Sequence, residues 1–175
     1  MKQLFTLLIL SLLTFNSVFA QKKVKIEYAD ELIGGKERNQ EYNSFVGNVH
    51  FSQKDIQIFC DSAIFYKKEN NVEAFGNVRI YQGDSVLVTG KRASYQGDSK
   101  LAQLRQTVVF TKLGEMTLYT ENLDYDRNQE LAYYFEGGKI VDSTNTLTSE
   151  RGYYHVPTNM ASFKENVVGE SPDYT

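Results

Sequence analysis

Few side chains in this sequence are of a type and spacing that performs chemistry. His50 and His155 each stand apart from any cysteine or second histidine at the separations that zinc ligands use, so each reads as a strand or turn residue and no metal site is expected. Asp30 with Asp61, and Asp124 with Asp126, offer the paired carboxylates that glycoside hydrolysis requires. Their settings argue against that use. Asp126 stands just ahead of Arg127-Asn128, where a carboxylate opens a turn, and Asp30 and Asp61 fall at a recurring corner, where such side chains cap backbone N–H groups. Cys60, the single cysteine, follows Phe59 in an apolar run and reads as a small buried hydrophobe that cannot form an intramolecular disulfide. With no Gly-x-Ser-x-Gly elbow, phosphate loop or zinc motif, the chain is expected to be neither an enzyme nor the holder of a cofactor.

The elements that carry these residues are copies of one unit. Residues 76–104 run Gly-Asn-Val-Arg-Ile-Tyr, a turn at Gln82-Gly83-Asp84, Val86-Leu-Val88, a corner at Gly90-Lys91-Arg92, Ala93-Ser-Tyr95, a turn at Gln96-Gly97-Asp98, then Leu101-Ala-Gln-Leu104. Taking the tyrosine as anchor, the unit recurs at Tyr66, Tyr95, Tyr125 and Tyr154, at spacings of 29, 30 and 29. Two residues before each anchor stand Ile64, Ala93, Leu123 and Gly152, and after it come Val72 to Phe75, Leu101 to Leu104, Leu131 to Tyr134 and Met160 to Phe163. A fixed period of this length means one structural unit stacked on itself.

Within each unit Val, Ile, Thr, Tyr and Phe alternate with polar residues, and Gly, Asn and Asp punctuate them, so the chain reads as all β. Val24, Ile26 and Tyr28 share a face in a strand expected over residues 24–32, which Gly34-Gly35 and the charged stretch to Asn43 should end. In the later units Val78, Ile80, Val86 and Val88 have one parity and Ala93 and Tyr95 the other; Met116 and Leu118 stand against Leu123 and Tyr125 in the same way, and so does Leu147 against Tyr154. A parity slip turns the inward face over, so each corner must hold a bulge or sharp bend. In the first unit Ile56 and Ile58 compete with Phe59 for the inward face. The repeat itself admits a parallel β-helix or stacked antiparallel strands; the short turns favour hairpins, hence antiparallel pairing. Stacked units would set Val78, Ile80, Val86, Val88, Tyr95, Val108, Phe110, Met116, Leu118 and Tyr125 in rows on one inner surface.

Lys2, an apolar run from Leu4 to Leu13 and the small-residue end at Ala20 have the zones of a secretory leader, so a mature chain from Gln21 is expected outside the cytoplasm. Losing Lys2 with the leader takes the formal charge from −3 to −4, and no basic block exceeds two residues, which argues against nucleic acid. A further copy opens at Glu165-Asn166-Val167-Val168-Gly169 and stops at Thr175, so the domain is expected to continue in a longer protein. Its strand around Asn166, Val167 and Val168, and the one at Val24, Ile26 and Tyr28, are the candidate assembly edges.

The combination Gly47-Asn48-Val49, Cys60-Asp61-Ser62-Ala63-Ile-Phe-Tyr66, Glu73-Ala74-Phe75-Gly76-Asn77-Val78 and Ala132-Tyr133-Tyr134-Phe135-Glu136-Gly137-Gly138 resembles the OstA-like family in its Bacteroidetes form, over about residues 24–169. That family includes the periplasmic lipopolysaccharide-transport protein LptA and the periplasmic domain of LptD. The resemblance implies an open, twisted antiparallel β-jelly roll without enzymatic activity. It also implies lipopolysaccharide as ligand, with the lipid A acyl chains held in the apolar interior at the inward residues named above. The partners it implies are LptC-like and LptD-like jelly rolls or further copies, joined end to end between the two membranes. The alternative is a structural or adhesive β-solenoid whose apolar rows only pack on one another.

Overall fold

From Val24 onward apolar and polar residues alternate nearly without interruption, and the described residues form strands nearly throughout. The computed structural model describes residues 23–37 and 40–171, and the expected leader lies outside them. The strands are β1 (Lys25–Tyr28), β2 (Glu31–Glu37), β3 (Gln40–Gln53), β4 (Ile56–Tyr66), β5 (Asn71–Gln82), β6 (Val86–Gln96) and β7 (Leu101–Lys112). After them come β8 (Met116–Asp126), β9 (Leu131–Val141), β10 (Thr146–Ser149), β11 (Arg151–His155), β12 (Met160–Lys164) and β13 (Val168–Glu170). All thirteen belong to one sheet, and every pairing is antiparallel. This is the antiparallel arrangement that the short turns favour, wound as a jelly roll whose first and last strands do not pair with each other.

Each long strand is bent in the middle, where its register with its neighbours slips. On every second strand the bend holds two consecutive residues at positive φ: Gly47-Asn48, Gly76-Asn77, Gln106-Thr107, Glu136-Gly137 and Glu165-Asn166. A carboxylate or hydroxyl from the adjacent strand steadies the bend. Asn48 and Asn77 donate their side-chain amides to Asp30 (2.9 Å) and Asp61 (2.8 Å), the Thr107 N–H donates to Glu121 (3.0 Å), and the Thr120 hydroxyl donates to the Gly137 carbonyl (2.7 Å). Asp30 and Asp61 therefore do hold the recurring corner, although through asparagine amides and, at Asp30, the Tyr28 hydroxyl (2.8 Å) rather than backbone N–H groups. At Gly76 a side chain has no room, because a Cβ would run into the Asp61 carboxylate.

The bends divide the roll into two facing arms. The first arm ends in the turns at 54–55, 83–85, 113–115 and 142–145; the second ends in those at 67–70, 97–100 and 127–130 and in the 3-10 turn Val156–Thr158. Within an arm, successive turns stack through single backbone bonds, such as Gly83 N–H to the Asp55 carbonyl (3.0 Å) and Arg127 N–H to the Lys100 carbonyl (3.1 Å). Because the bend shifts parity, the alternate residues of both arms face each other. In β4 the buried set is Ile56, Ile58 and Cys60, then Ala63 and Phe65. Phe59 points outward, where its ring stacks on His50 at 4.3 Å.

Three sequence expectations are corrected. The first copy is out of step by one residue: Phe65, not Tyr66, occupies the column of Tyr95, Tyr125 and Tyr154, with Ala63 rather than Ile64 two positions before it. Val72 and Tyr95 are directly paired, as are Tyr95 and Ala102, so Val72 corresponds to Ala102 and not to Leu101. A tyrosine beside the true anchor drew the alignment off. Secondly, the strand expected over residues 24–32 is broken between Tyr28 and Glu31, where the same bend falls. Thirdly, Gly34-Gly35 do not end it, because β2 runs through them and pairs with Tyr42 and Asn43 of β3.

Candidate functional site

Among the described residues, the buried apolar side chains form one continuous interior between the arms. Val78, Ile80, Val86, Val88, Val108, Phe110, Met116 and Leu118 lie on the first arm, and Tyr95 and Tyr125 face them from the second. All ten are buried; Met116, at 8%, is the most exposed. Also facing the interior are Leu123, which shares the parity of Tyr125, and residues that the tyrosine repeat did not single out as inward, among them Val72, Leu104 and Tyr134, with Phe45, Phe51 and Phe65 filling the β3–β4 end. Rings meet edge-on between the arms: Phe51 and Phe45 at 5.4 Å, Phe110 and Tyr125 at 5.8 Å, Phe110 and Tyr154 at 6.1 Å.

No backbone ladder joins the turn ends of the two arms along the mouth, and a row of side chains does so instead. The Tyr95 hydroxyl donates to Gln53 (2.5 Å), and Gln53 donates in turn to the Gly97 carbonyl (2.8 Å). One repeat on, Tyr125 donates to Gln82 (2.7 Å), which also reaches Glu130 (3.2 Å). One further on, Tyr154 meets Glu115 (3.2 Å) and Asn159 (3.0 Å), while Lys112 bonds the Val156 carbonyl (2.9 Å) and Asn159 (3.0 Å). Arg127 is ion-paired with Asp55 across the same line. Burial raises the phenol pKa values of Tyr95 and Tyr125, with the Glu130 charge adding to the rise at Tyr125; Tyr154 is pushed up to about 12 by burial and by Glu115. The hydroxyls therefore stay protonated and serve as donors.

The two ends of the roll differ. At the β1 end Val24 is buried and plugs the interior, its N–H donating to Asn70 (2.8 Å), while Asn70 and Lys23 both hold Asp98 (2.7 and 3.0 Å). Ile26 is partly buried and Tyr28 exposed beside it. At the other end a cavity of about 340 Å³ opens between Met116, Ile140, Leu147, Tyr154 and Phe163, rimmed by Glu115, Asp142 and Asn159. There β13 is an exposed edge strand paired only with β10; Val167 and Val168 are 49% and 57% exposed, and Asn166 forms the bend before them.

An apolar interior built by strands bent once each, at a period of about 30 residues, has a counterpart among known families. Residues 21–175 match the OstA-like protein family. The chain belongs to that family. No curated protein matches it. Among solved structures it is similar to LptH from Pseudomonas aeruginosa, described as the LptA homologous periplasmic component of the conserved lipopolysaccharide transport device. The TM-score is 0.62 at 15% identity, over 66% of this chain and 93% of that one. At this identity the likeness is one of fold.

The histidines and the paired carboxylates that the sequence of this OstA-like chain offered have structural partners. His50 bonds Gln57 (2.6 Å) and His155 bonds Thr158 (2.7 Å). Asp124 pairs with Arg105 (2.8 Å), and Asp126 accepts from the Asn128 N–H (2.8 Å) to open its turn. The two carboxylates of each imagined pair are thus engaged separately. Burial lifts the Cys60 thiol to about 11, which keeps it neutral. Of the mouth residues, Gln53, Gln82 and Lys112 recur at spacings of 29 and 30, a column that sequence comparison could have found. Asp55 and Arg127 stand 72 positions apart with nothing local to connect them.

Proposed function

We propose that the chain is a non-enzymatic periplasmic carrier of lipopolysaccharide, shielding lipid A acyl chains between its two arms on the way from the inner to the outer membrane. Membership of the OstA-like family and the fold shared with LptH support a lipopolysaccharide-transport type of module. The observation that carries the finer reading is an apolar interior running through every repeat, whose two arms meet along the mouth through side chains alone. Exposing an acyl chain to water costs ~0.8 kcal/mol per methylene, so a ten-carbon stretch costs on the order of 8 kcal/mol without cover. In this reading, parting the arms replaces side-chain contacts between them by contacts with the lipid, and no backbone ladder has to break. LptC-like and LptD-like jelly rolls, or further copies, are the partners this reading implies.

The tight packing of the interior favours a second reading, a structural or adhesive β-module that holds no lipid. Photo-crosslinking decides between them. Crosslinkers at Val88 and Leu118, Tyr95 and Tyr125 should capture lipopolysaccharide, and those at outward Ser94 and Asp124 should not. Equal capture at both sets, or none at either, removes the carrier reading.

A further inference from the structure

One cation of the mouth is incompletely bonded. The Arg127 side chain is 9% exposed. Its Nη2 is ion-paired with Asp55, its Nη1 makes a long contact of 3.4 Å to the Tyr95 hydroxyl, and its Nε is buried without a hydrogen-bond partner. A guanidinium offers Nε–H and an adjacent Nη–H as a parallel fork that fits two oxygens of one oxyanion. Asp55 engages only half of that fork. Leaving a buried donor unpaired is unfavourable, so the closed mouth does not complete the bonding of Arg127. Lys112, by contrast, spends its ammonium on the Val156 carbonyl, Asn159 and Glu115. Asp55 is 45% exposed in its turn and can move into water without a desolvation cost.

We infer that Arg127 is an anion-binding residue at the mouth of the roll, exchanging Asp55 for a phosphate group on the ligand's head as the arms part. The inference rests on the carrier reading. If acyl chains lie between the arms, the charged head must stay at the line of turns where they meet, and Arg127 sits on that line facing Tyr95. Phosphate monoesters supply the paired oxygens that the fork lacks. The exchange makes and breaks no covalent bond; it passes the guanidinium from a carboxylate of the protein to an oxyanion of the ligand, and Asp55 is released to solvent.

The test compares lipid A carrying its phosphates with the same lipid stripped of them, both presented below micelle formation, and inorganic phosphate alone at matched ionic strength. The proteins are the parent chain and its Arg127→Gln, Arg127→Lys and Asp55→Asn variants, each checked for a cooperative thermal transition. The parent should prefer the phosphorylated lipid by about tenfold, in line with one charge-assisted contact. Arg127→Gln should lose that preference, Arg127→Lys keep part of it, and Asp55→Asn bind the phosphorylated lipid more tightly because the competing carboxylate is gone. Should Arg127→Gln not fold, Asp55→Asn decides, and unchanged affinity there overturns the inference. Equal binding of both lipids by the parent overturns it while leaving the carrier reading intact. Binding of neither lipid overturns both, and inorganic phosphate binding as tightly as the lipid overturns the assignment to a headgroup.

Discussion

The anchor tyrosines combine two roles that a sequence can show only in part. Their recurrence at one position marks a repeat, but their rings fill the interior while their hydroxyls tie one arm to the other, at separations of 39 to 43 residues. Periodicity compares equivalent residues and is silent about partners, which is why the apolar rows were legible and the mouth was not. The phenols and the Cys60 thiol make the first testable consequence. Burial raises all of them: Cys60 to about 11, Tyr154 to about 12, and Tyr95, Tyr125 and Tyr134 above their ordinary value near 10. Each favours the folded state while its neutral form persists. That contribution is complete below the unfolded pKa and is lost as pH rises through the folded one. Stability should therefore decline from about pH 9 upward. The tyrosinate absorbance should rise in two stages, exposed phenols first and the buried set only with loss of β-sheet circular dichroism. A single smooth titration of every tyrosine before unfolding would show that the mouth hydroxyls are not held.

At the scale of the strand, the bend is the feature on which the fold turns, because without it the parity of each strand would carry its second half outward. The sequence exposed the bend through slipped parity; the Gly-Asn pairs that form it at residues 47–48 and 76–77 are a finding of the structure. The sequence misplaced the first copy because Tyr66 stands next to Phe65; it placed Asp30 at the recurring corner yet read as one strand over residues 24–32, and Gly34-Gly35, which look like a terminus, hid the continuation into β2. A glycine at φ +71 whose missing Cβ would meet the Asp61 carboxylate makes Gly76 sensitive on two counts. Gly76→Ala should cost about 1–3 kcal/mol through left-handed strain and the clash, lowering Tm by roughly 2–4 °C per kcal/mol for a chain of this size. Asp61→Ala should cost less, since it removes one amide–carboxylate bond to Asn77 (2.8 Å) at an exposed site. In the double variant the clash is absent. Its loss should fall short of the sum, as residues in contact require. Additive losses in thermal or urea unfolding would mean that the carboxylate does not brace the bend.

At the scale of the whole molecule the two ends of the sheet are unlike, and both are apolar edges. At one, Tyr28, Leu32 and Ile33 are more than half exposed; at the other, Met160 and Val168 are, beside an apolar cavity. Exposed edges with apolar side chains recruit further strands, and a contact between unlike ends does not close on itself, so it builds open chains. The carrier reading implies such joining, onto another copy or onto a related jelly roll. Val24 contributes little to the first edge, because it is buried and bonded to Asn70; Ile26, Tyr28 and the residues of β2 supply it. At the second edge, proline at Val167 would be a blunt probe. It would follow Asn166, which holds φ 51, and a residue before proline is pushed out of such conformations, so the bend itself would suffer. Val168→Lys is the cleaner change, placing a charge on the edge strand while leaving its pairing to Thr148 possible. Light scattering over a concentration series should show the parent growing in average mass and Val168→Lys remaining smaller at each concentration, with circular dichroism unchanged. A parent that stays monomeric throughout, or a variant that grows equally, would place the joining surface elsewhere and remove the edge strands from the bridge.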